Sequence, residues 1–439
     1  MNELISFAKQ VSLQRIPDEV IDRAKLILLD SLSAIALGNQ NDNLKKLRMN
    51  LTSTSSEIGV PAIDTSDSLE KRDAAFINGI AMVSDELDEG NPKAKGHPAA
   101  HFLPALLSLA ITEEVSGEQL LLAFIVNYEI SARLGETLQL KGEIHPHGNW
   151  GVFGNGFGVG TLLGWQNDEH YMQASMLSSS FSFPTLWKSV LEGHEVRNVI
   201  VGLNNYNTML LPNLVHAGFT ASLMTREELF SGILAKQIKN YSLNFEKKYY
   251  LLHSYFKFYA YCRFCHAPID AAIALVKDIR LDDIKNIYIE TYSLAAKLDS
   301  KKIANEFAGM FSIPYAVANE LYLYYKAKGQ SDKNREQFIK DMMDKIHVTE
   351  NEQYTKQMAK RRKTAVKIEL SDGTIKENIV NRATGDADED NLHTKVLEKN
   401  KTSLEKIFDK ENTKRITETI LQIDELNNVN QLRTLLVTS

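Results

Sequence analysis

The sequence predicts a mainly α protein, a large all-helical domain joined to a smaller α+β one, and three observations carry that prediction. Apolar residues recur with the helical period of about 3.6 over roughly the first 250 residues. The texture then changes to short alternating runs of the kind that form strands. Finally, a charged stretch near the carboxy terminus returns to the helical pattern. At 439 residues the chain exceeds a single typical hydrophobic core, so two domains are expected.

The segment PDEVIDRAKLILLDSLSAIALG opens at Pro17 with acidic residues behind it and stops at Gly38, a helix with both punctuation marks. The same period returns in KRDAAFINGIAMVSDEL, PALLSLAITEE, GEQLLLAFIVNYEISARLGETL, GVFGNGFGVGTLLGW and NVIVGLNNYNTMLLPNLVHAGF. Several of these helices are nearly apolar all round and rich in Gly, Ala and Ser, which suits the centre of a large bundle. NIYIET at 286–291 and AVKIEL at 365–370 alternate apolar and polar residues. AVKIEL meets TIKENIV across Ser371, Asp372 and Gly373, a hairpin signal. The patterns IPYAVANELYLYYKAKG and DKNREQFIKDMMDKI place two helices between the strands, and ENTKRITETILQIDELNNVNQLRTLL is helical again. GDADEDN at 385–391 is expected to be a solvated loop. The helical domain is thus assigned to residues 1–268 and completed by 396–439, with the α+β domain over 269–395.

A formal net charge of −6 argues against nucleic acid as a partner. No apolar run approaches the roughly 18 residues of a membrane span, and MNELISFAKQVSLQ has no basic segment followed by an apolar core, so no secretory leader is expected. A chain with two cysteines suits a reducing compartment, so a cytoplasmic protein without membrane contact is expected. Both cysteines fall in SYFKFYAYCRFCHAPIDAA, as Cys262 and Cys265 with His266 directly behind. A C-x-x-C signals structural zinc when a second ligand pair stands at a defined distance, and no second pair of cysteines exists. A redox pair, ordinary buried thiols and an active-site role remain open from these residues alone.

Ionisable residues gather in four short stretches of the apolar half. SDELDEGNPKAKGHPAAH places Asp85, Asp88 and Glu89 before a Gly/Pro-rich loop that returns His97 and His101, with Lys93 and Lys95 inside it. GEIHPHGNWGVFG sets His145 and His147 before a Gly-rich helix whose amino-terminal amides favour an anion. LEGHEVRNVIVG contributes Glu192, His194 and Arg197, and the cysteine stretch Lys257, Arg263 and His266. Taken singly, a histidine of this kind is more often structural and Arg197 more often a helix-face ion pair. Cations at helix starts without a Walker loop, a Rossmann fingerprint, a G-x-S-x-G elbow or an H-E-x-x-H point instead to a small multiply charged anion such as a di- or tricarboxylate.

In this order the four stretches resemble the MmgE/PrpD family of 2-methylcitrate dehydratases, cis-aconitate decarboxylases and iminodisuccinate epimerases. LLDSLSAIALG looks like the family's first helix, and AAFINGIAMVSDELDEG with GHPAAHFLPALLSLA like its Asp-rich turn and His-Pro helix start. IHPHGNWGVFGNGFGVGTLLG and LEGHEVRNVIVGLNNYNTMLLPNLVHAGFTA resemble its histidine-bearing Gly-rich helix and its small-residue helix. The family pattern of a lysine, a Cys or His, a further His and an Asp falls on Lys257, Cys262, His266 and Asp270, which gives the cysteine stretch an active-site role. FSIPYAVANEL resembles the lid segment at Ser312 and Tyr315.

The resemblance implies a helical domain with an α+β lid and a cofactor-independent lyase that removes a proton next to a carboxylate. It implies His97 and His145 as proton-transfer groups oriented by Asp85, with Lys257 and Tyr315 also catalytic. Arg197, Arg263, Glu89, Cys262 and His266 would line the substrate site, with no metal. Dehydration of a 2-methylcitrate-like acid is the reaction expected, with epimerisation or decarboxylation of a related acid, or binding without turnover, as alternatives. Arg197 stands where the decarboxylases carry lysine, Cys262 where they carry histidine and Glu89 where they carry threonine. GDADEDNLHTKVLEKN lacks both prolines of the family's usual Gly-Asp-Pro-x-Asn-Pro-Leu. A homodimer is expected, and a small polycarboxylate as its substrate.

Overall fold

A computed structural model describes residues 1–51, 59–65, 68–238, 245, 248–331, 334–358 and 360–437. The chain divides into two compact units, one of residues 1–187, 196–256 and 390–439, the other of residues 188–195 and 257–389. The fold is mainly α, with a smaller α+β part.

In the first unit, the helix Asp18–Gly38 is buried continuously from Leu26 to Ala36, with Ile27, Leu29 and Ile35 fully removed from solvent. Each such side chain contributes about 1.5–3 kcal/mol relative to exposure. It packs against the helix Lys71–Ser84, which in turn packs on Leu103–Thr112 and Val196–Thr208. Gly38 allows the first of these contacts, since a Cβ there would lie 2.0 Å from the carbonyl oxygen of Ala81. The long helix Gly117–Thr137 starts at a capping box in which Ser116 and Gln119 satisfy each other's backbone amides. The helix Leu392–Leu404 joins this unit through Lys399, whose ammonium meets the buried Asp30 carboxylate at 2.6 Å.

Three of the expected helices are broken, among them ENTKRITETILQIDELNNVNQLRTLL, which forms Lys410–Leu421 and Leu432–Leu435 with short turns between. NVIVGLNNYNTMLLPNLVHAGF forms Val196–Thr208 and Leu211–His216, because Pro212 has no N–H to return to the carbonyl of Thr208. GVFGNGFGVGTLLGW opens as a tight turn at Trp150–Val152, where the Asn149 side chain accepts the Trp150 amide, and becomes helical over Asn155–Leu162.

The second unit is built on a four-stranded sheet ordered Ile346–Glu350, Ile284–Thr291, Thr364–Leu370, Ile375–Val380. The first pair is parallel and the others antiparallel. The hairpin lies where the sequence places it, with Glu369 opposite Ile375 and Gly373 at φ +87 in the turn. Strand Ile346–Glu350 was not expected. It follows the helix Arg335–Lys345 without a break and buries only its first residue, so it carries no alternation. Helix Ile313–Ala327 is capped by Ser312, whose hydroxyl accepts the Tyr315 amide, and packs on His266–Leu275. The stretch 385–391 is a loop but is not wholly solvated, because Asp386 forms an ion pair with the buried Arg263 at 2.6 Å. Among the described residues no helix is long and apolar enough to cross a membrane.

Candidate active site

The helix Lys71–Ser84 ends at Asp85, and the next residues leave helical geometry, Glu86 at φ +52. Gly90 then pairs backbone to backbone with Tyr255, and Asn91 with Gly96, which closes the loop 91–96 into a tight excursion. The Asn91 side chain accepts the amides of Lys93 and Ala94, and the Lys95 ammonium caps the carbonyls of Glu136 and Leu138. So held, the loop sets His97 beside the acids that precede it.

Nδ1 of His97 lies 2.8 Å from Oδ2 of the fully buried Asp88 and 2.5 Å from the carbonyl of Glu89. Asp88, not Asp85, is therefore the carboxylate at this histidine. Asp85 is only partly exposed, and burial raises its pKa to about 6 against the opposing pull of Lys406. Glu89 is fully buried, its carboxylate accepting the Ala99 amide at 2.9 Å and the Tyr128 hydroxyl at 3.0 Å. Burial above all, with the Asp88 charge adding to it, lifts Glu89 to about 8, so it is largely a neutral acid at pH 7. Tyr128 in turn meets Ser254 at 2.8 Å.

His101 joins two loops. Its Nδ1 faces the carbonyl of His97 at 2.9 Å, and its Nε2 accepts the Gly148 amide at 2.9 Å. Burial lowers its pKa to about 4, which keeps the ring neutral and both bonds intact. The second loop carries His145 and His147. The His147 amide donates to Nδ1 of His145 at 3.2 Å, and the Asn149 amide group ties the carbonyls of both histidines. The His147 ring centroid lies 4.7 Å from that of His97 and 5.0 Å from that of His145. Burial, then nearby Arg197, holds His147 neutral, well below the ordinary histidine range.

Asp88, His97 and His147 offer ligand atoms within 4.8 Å of one another, a set a divalent ion could use. The Glu89 carbonyl 2.5 Å from Nδ1 of His97 requires an N–H on that nitrogen, which leaves Nε2 as the ring's lone pair. Arg197 is buried and faces Glu86 at 2.6 Å, donating also to the Val83 carbonyl and to Asn198. The resemblance gives no role to Glu86, Asp88, His147 or Tyr128. Asp88 and His147 stand in the stretches where charge gathers, whereas nothing in the sequence marks Glu86 as the partner of an arginine in another helix.

The remaining candidates belong to the second unit. Lys257 is fully buried. Cys262 and Cys265 are both buried and form no disulfide, and the Cys262 amide donates to the Met310 carbonyl at 2.9 Å. His266 points Nε2 at the Tyr261 carbonyl, 3.2 Å away, and receives Arg263 at Nδ1. Arg263 also donates to the Ala383 and Thr384 carbonyls, so its guanidinium organises the 383–386 loop. Asp270 accepts the Tyr259 hydroxyl and the Thr384 amide. Tyr315 is half-buried and its oxygen receives Arg335 at 3.2 Å, while burial pushes its pKa up. It lines a cavity of about 510 Å³ with Lys301, Asn305, Glu306 and Arg335.

Comparison with known proteins fits this picture. The chain is 22% identical to the cis-aconitate decarboxylase of Aspergillus terreus, over 99% of its own length and 95% of that protein. A cis-aconitate decarboxylase-like protein, oryM of Aspergillus oryzae, is 27% identical over 31% of the chain and 30% of its own length. The model of the MmgE/PrpD N-terminal domain matches residues 2–221, and that of the C-terminal domain matches residues 259–425. The chain therefore belongs to the MmgE/PrpD family.

Proposed function

We propose that this protein is a lyase that takes a proton from carbon next to a carboxylate of a small di- or tricarboxylic acid, without a cofactor. The Asp88–His97 pair is the observation that carries the reading. A buried carboxylate at Nδ1 orients the ring and stabilises the imidazolium that forms when Nε2 takes up a proton. Dehydration of a 2-methylcitrate-like hydroxy acid is the favoured reaction. The C–H bond breaks toward His97, its electron pair forms the C=C bond, and the hydroxyl departs with a proton as water. Lys257 is proposed as a carboxylate-binding cation and Tyr315 as a proton donor, the roles the family resemblance gives them. Arg197 has Glu86 as counterion, so its charge is in part already neutralised.

Likeness to cis-aconitate decarboxylase over nearly the whole chain supports a second reading, decarboxylation of a related acid. Glu89, Arg197 and Cys262, each different from the residue in the decarboxylases, favour the first. We also propose a cytoplasmic homodimer. The deciding experiment incubates purified protein with citrate, methylcitrate, cis-aconitate and aspartate derivatives in D₂O while water loss, carbon dioxide and deuterium uptake are followed. Water loss from methylcitrate supports the favoured reaction, and carbon dioxide from cis-aconitate the second. Binding with no exchange of any carbon-bound proton would defeat both.

A further inference from the structure

We infer that Arg335 is the positioning residue of Tyr315, its guanidinium spanning Tyr315 and Asn319 so that the phenol hydrogen turns away from it and toward the cavity that Tyr315 lines. The proton-donor role of Tyr315 rests on the reaction class proposed above, but the fixing of its hydroxyl does not. Tyr315 and Asn319 stand four residues apart on the helix Ile313–Ala327, neighbours on one face. Arg335 opens the next helix, Arg335–Lys345, which packs against the first. From there Nε donates to Oδ1 of Asn319 at 2.9 Å and Nη2 to the Tyr315 oxygen at 3.2 Å. Two N–H groups of one rigid planar fork fit that spacing, which a single ammonium does not match.

Stability does not explain this arginine. A cation in the first turn of a helix opposes the macrodipole. Its ion pair with Glu306, at 2.9 Å, leaves 76% of the Glu306 side chain in solvent, and such exposed pairs contribute little. The buried anchor is Asn319, whose amide group donates to the Tyr261 hydroxyl at 2.7 Å, and that hydroxyl donates to Glu320 at 3.1 Å. The ring of Tyr315 is held as well. It lies against Gly309, where a Cβ would come within 2.6 Å of its Cε1, and the Ser312 hydroxyl accepts its amide at 3.1 Å. The hydroxyl torsion is the freedom that remains, and Arg335 fixes it.

An arginine has N–H donors and no acceptor, so it takes a lone pair of the phenol oxygen and keeps the phenol hydrogen off its own side. Among the described residues no acceptor receives that hydrogen, and Tyr315 borders the cavity of about 510 Å³. The hydroxyl is thus presented as a donor. In the proposed reaction its proton passes to the hydroxyl that leaves as water, and the phenolate left behind keeps Arg335 as its counterion. Besides Arg335, the charged groups around this ring are Lys301, Glu306, Glu336, Lys340 and Asp344. Burial raises the phenol's pKa, Arg335 opposes that rise and Glu306 adds to it.

Difluorotyrosine introduced at position 315 alone reports on this phenol, because fluorination acidifies it into a range where the protein stays folded and ¹⁹F spectra follow its ionisation. Without substrate, Arg335→Gln should move that titration to higher pH, and by more than Lys340→Gln, which removes another cation of the same cavity. An unchanged midpoint, or a shift no larger than that of Lys340→Gln, overturns the inference. In turnover, Tyr315→Phe should lower kcat about 10²–10⁴-fold and Arg335→Gln about 10–10²-fold, each with KM nearly unchanged. The double variant should be no slower than Tyr315→Phe, because Arg335 acts through that hydroxyl. Arg335→Lys, which keeps the charge without the fork, should not recover the loss. Losses that multiply in the double variant, or a lysine variant as active as the wild type, also overturn it. If the wild-type protein turns over no carboxylic acid, the proposed reaction fails and the ¹⁹F titration alone decides the positioning.

Discussion

Replacing Glu89 by glutamine isolates a charge that the fold holds back. The side chain is fully buried, its two oxygens receive Ala99 and Tyr128, and burial raises its pKa from the ordinary 4.5 to about 8. A carboxyl whose pKa is raised on folding stabilises the native state fully at pH below 4.5, where both states are protonated. That contribution is lost as pH rises toward 8, because only the unfolded chain ionises in between. Each pH unit of that window costs about 1.4 kcal/mol, so the native state loses about 3–4 kcal/mol between pH 5 and pH 8. Glutamine reproduces the neutral acid. Its carbonyl can accept the Ala99 amide, and its amide can donate to Tyr128, which then donates to Ser254. Urea unfolding of both proteins at pH 5, 6, 7 and 8 should show the Glu89→Gln variant gaining on the wild type by about 3–4 kcal/mol across the series. A gap constant to within about 1 kcal/mol would mean that Glu89 is ionised in the native protein, and the reasoning would fail.

Arg197→Ala should destabilise by about 3–5 kcal/mol in the same assay, because it strips the buried Glu86 of its cation; a cost below about 1 kcal/mol would show the pair to be solvated. Lys257→Ala should weaken substrate binding by about 10- to 100-fold, one charge-assisted contact, while calorimetry shows an unchanged fold. Dialysis against chelator should leave activity and melting temperature unaltered, with stoichiometric zinc and unfolding on its removal as the contrary result. Sedimentation at micromolar concentration should show a dimer, and a monomer alone would count against that assembly.

Local pattern and tertiary partnership divide this protein cleanly. The helix Asp18–Gly38 and the hairpin Thr364–Leu370 with Ile375–Val380 are legible because periodicity, proline, glycine and turn chemistry act within a few residues. Strand Ile346–Glu350 is not, since it earns its place by pairing with Ile284–Thr291 and buries little of its own. In the candidate site, the sequence marks the loops that carry His97, His101, His145 and His147, because ionisable residues stand out among apolar helices. It is silent on which carboxylate meets which ring. Asp85 and Asp88 are equivalent choices by composition, and a turn of backbone at Glu86 turns only Asp88 toward His97.

By itself, then, the sequence determined the mainly α class, the α+β part and the stretches in which charge gathers. Tertiary structure alone decided that Glu86 neutralises Arg197, 111 positions away, and that His101 ties His97 to Gly148. The physical reason is range. Helix and turn signals are short-range and repeat along the chain, whereas a proton's location on an imidazole depends on one carbonyl or one amide about 3 Å away, brought there by the packing of helices distant in sequence.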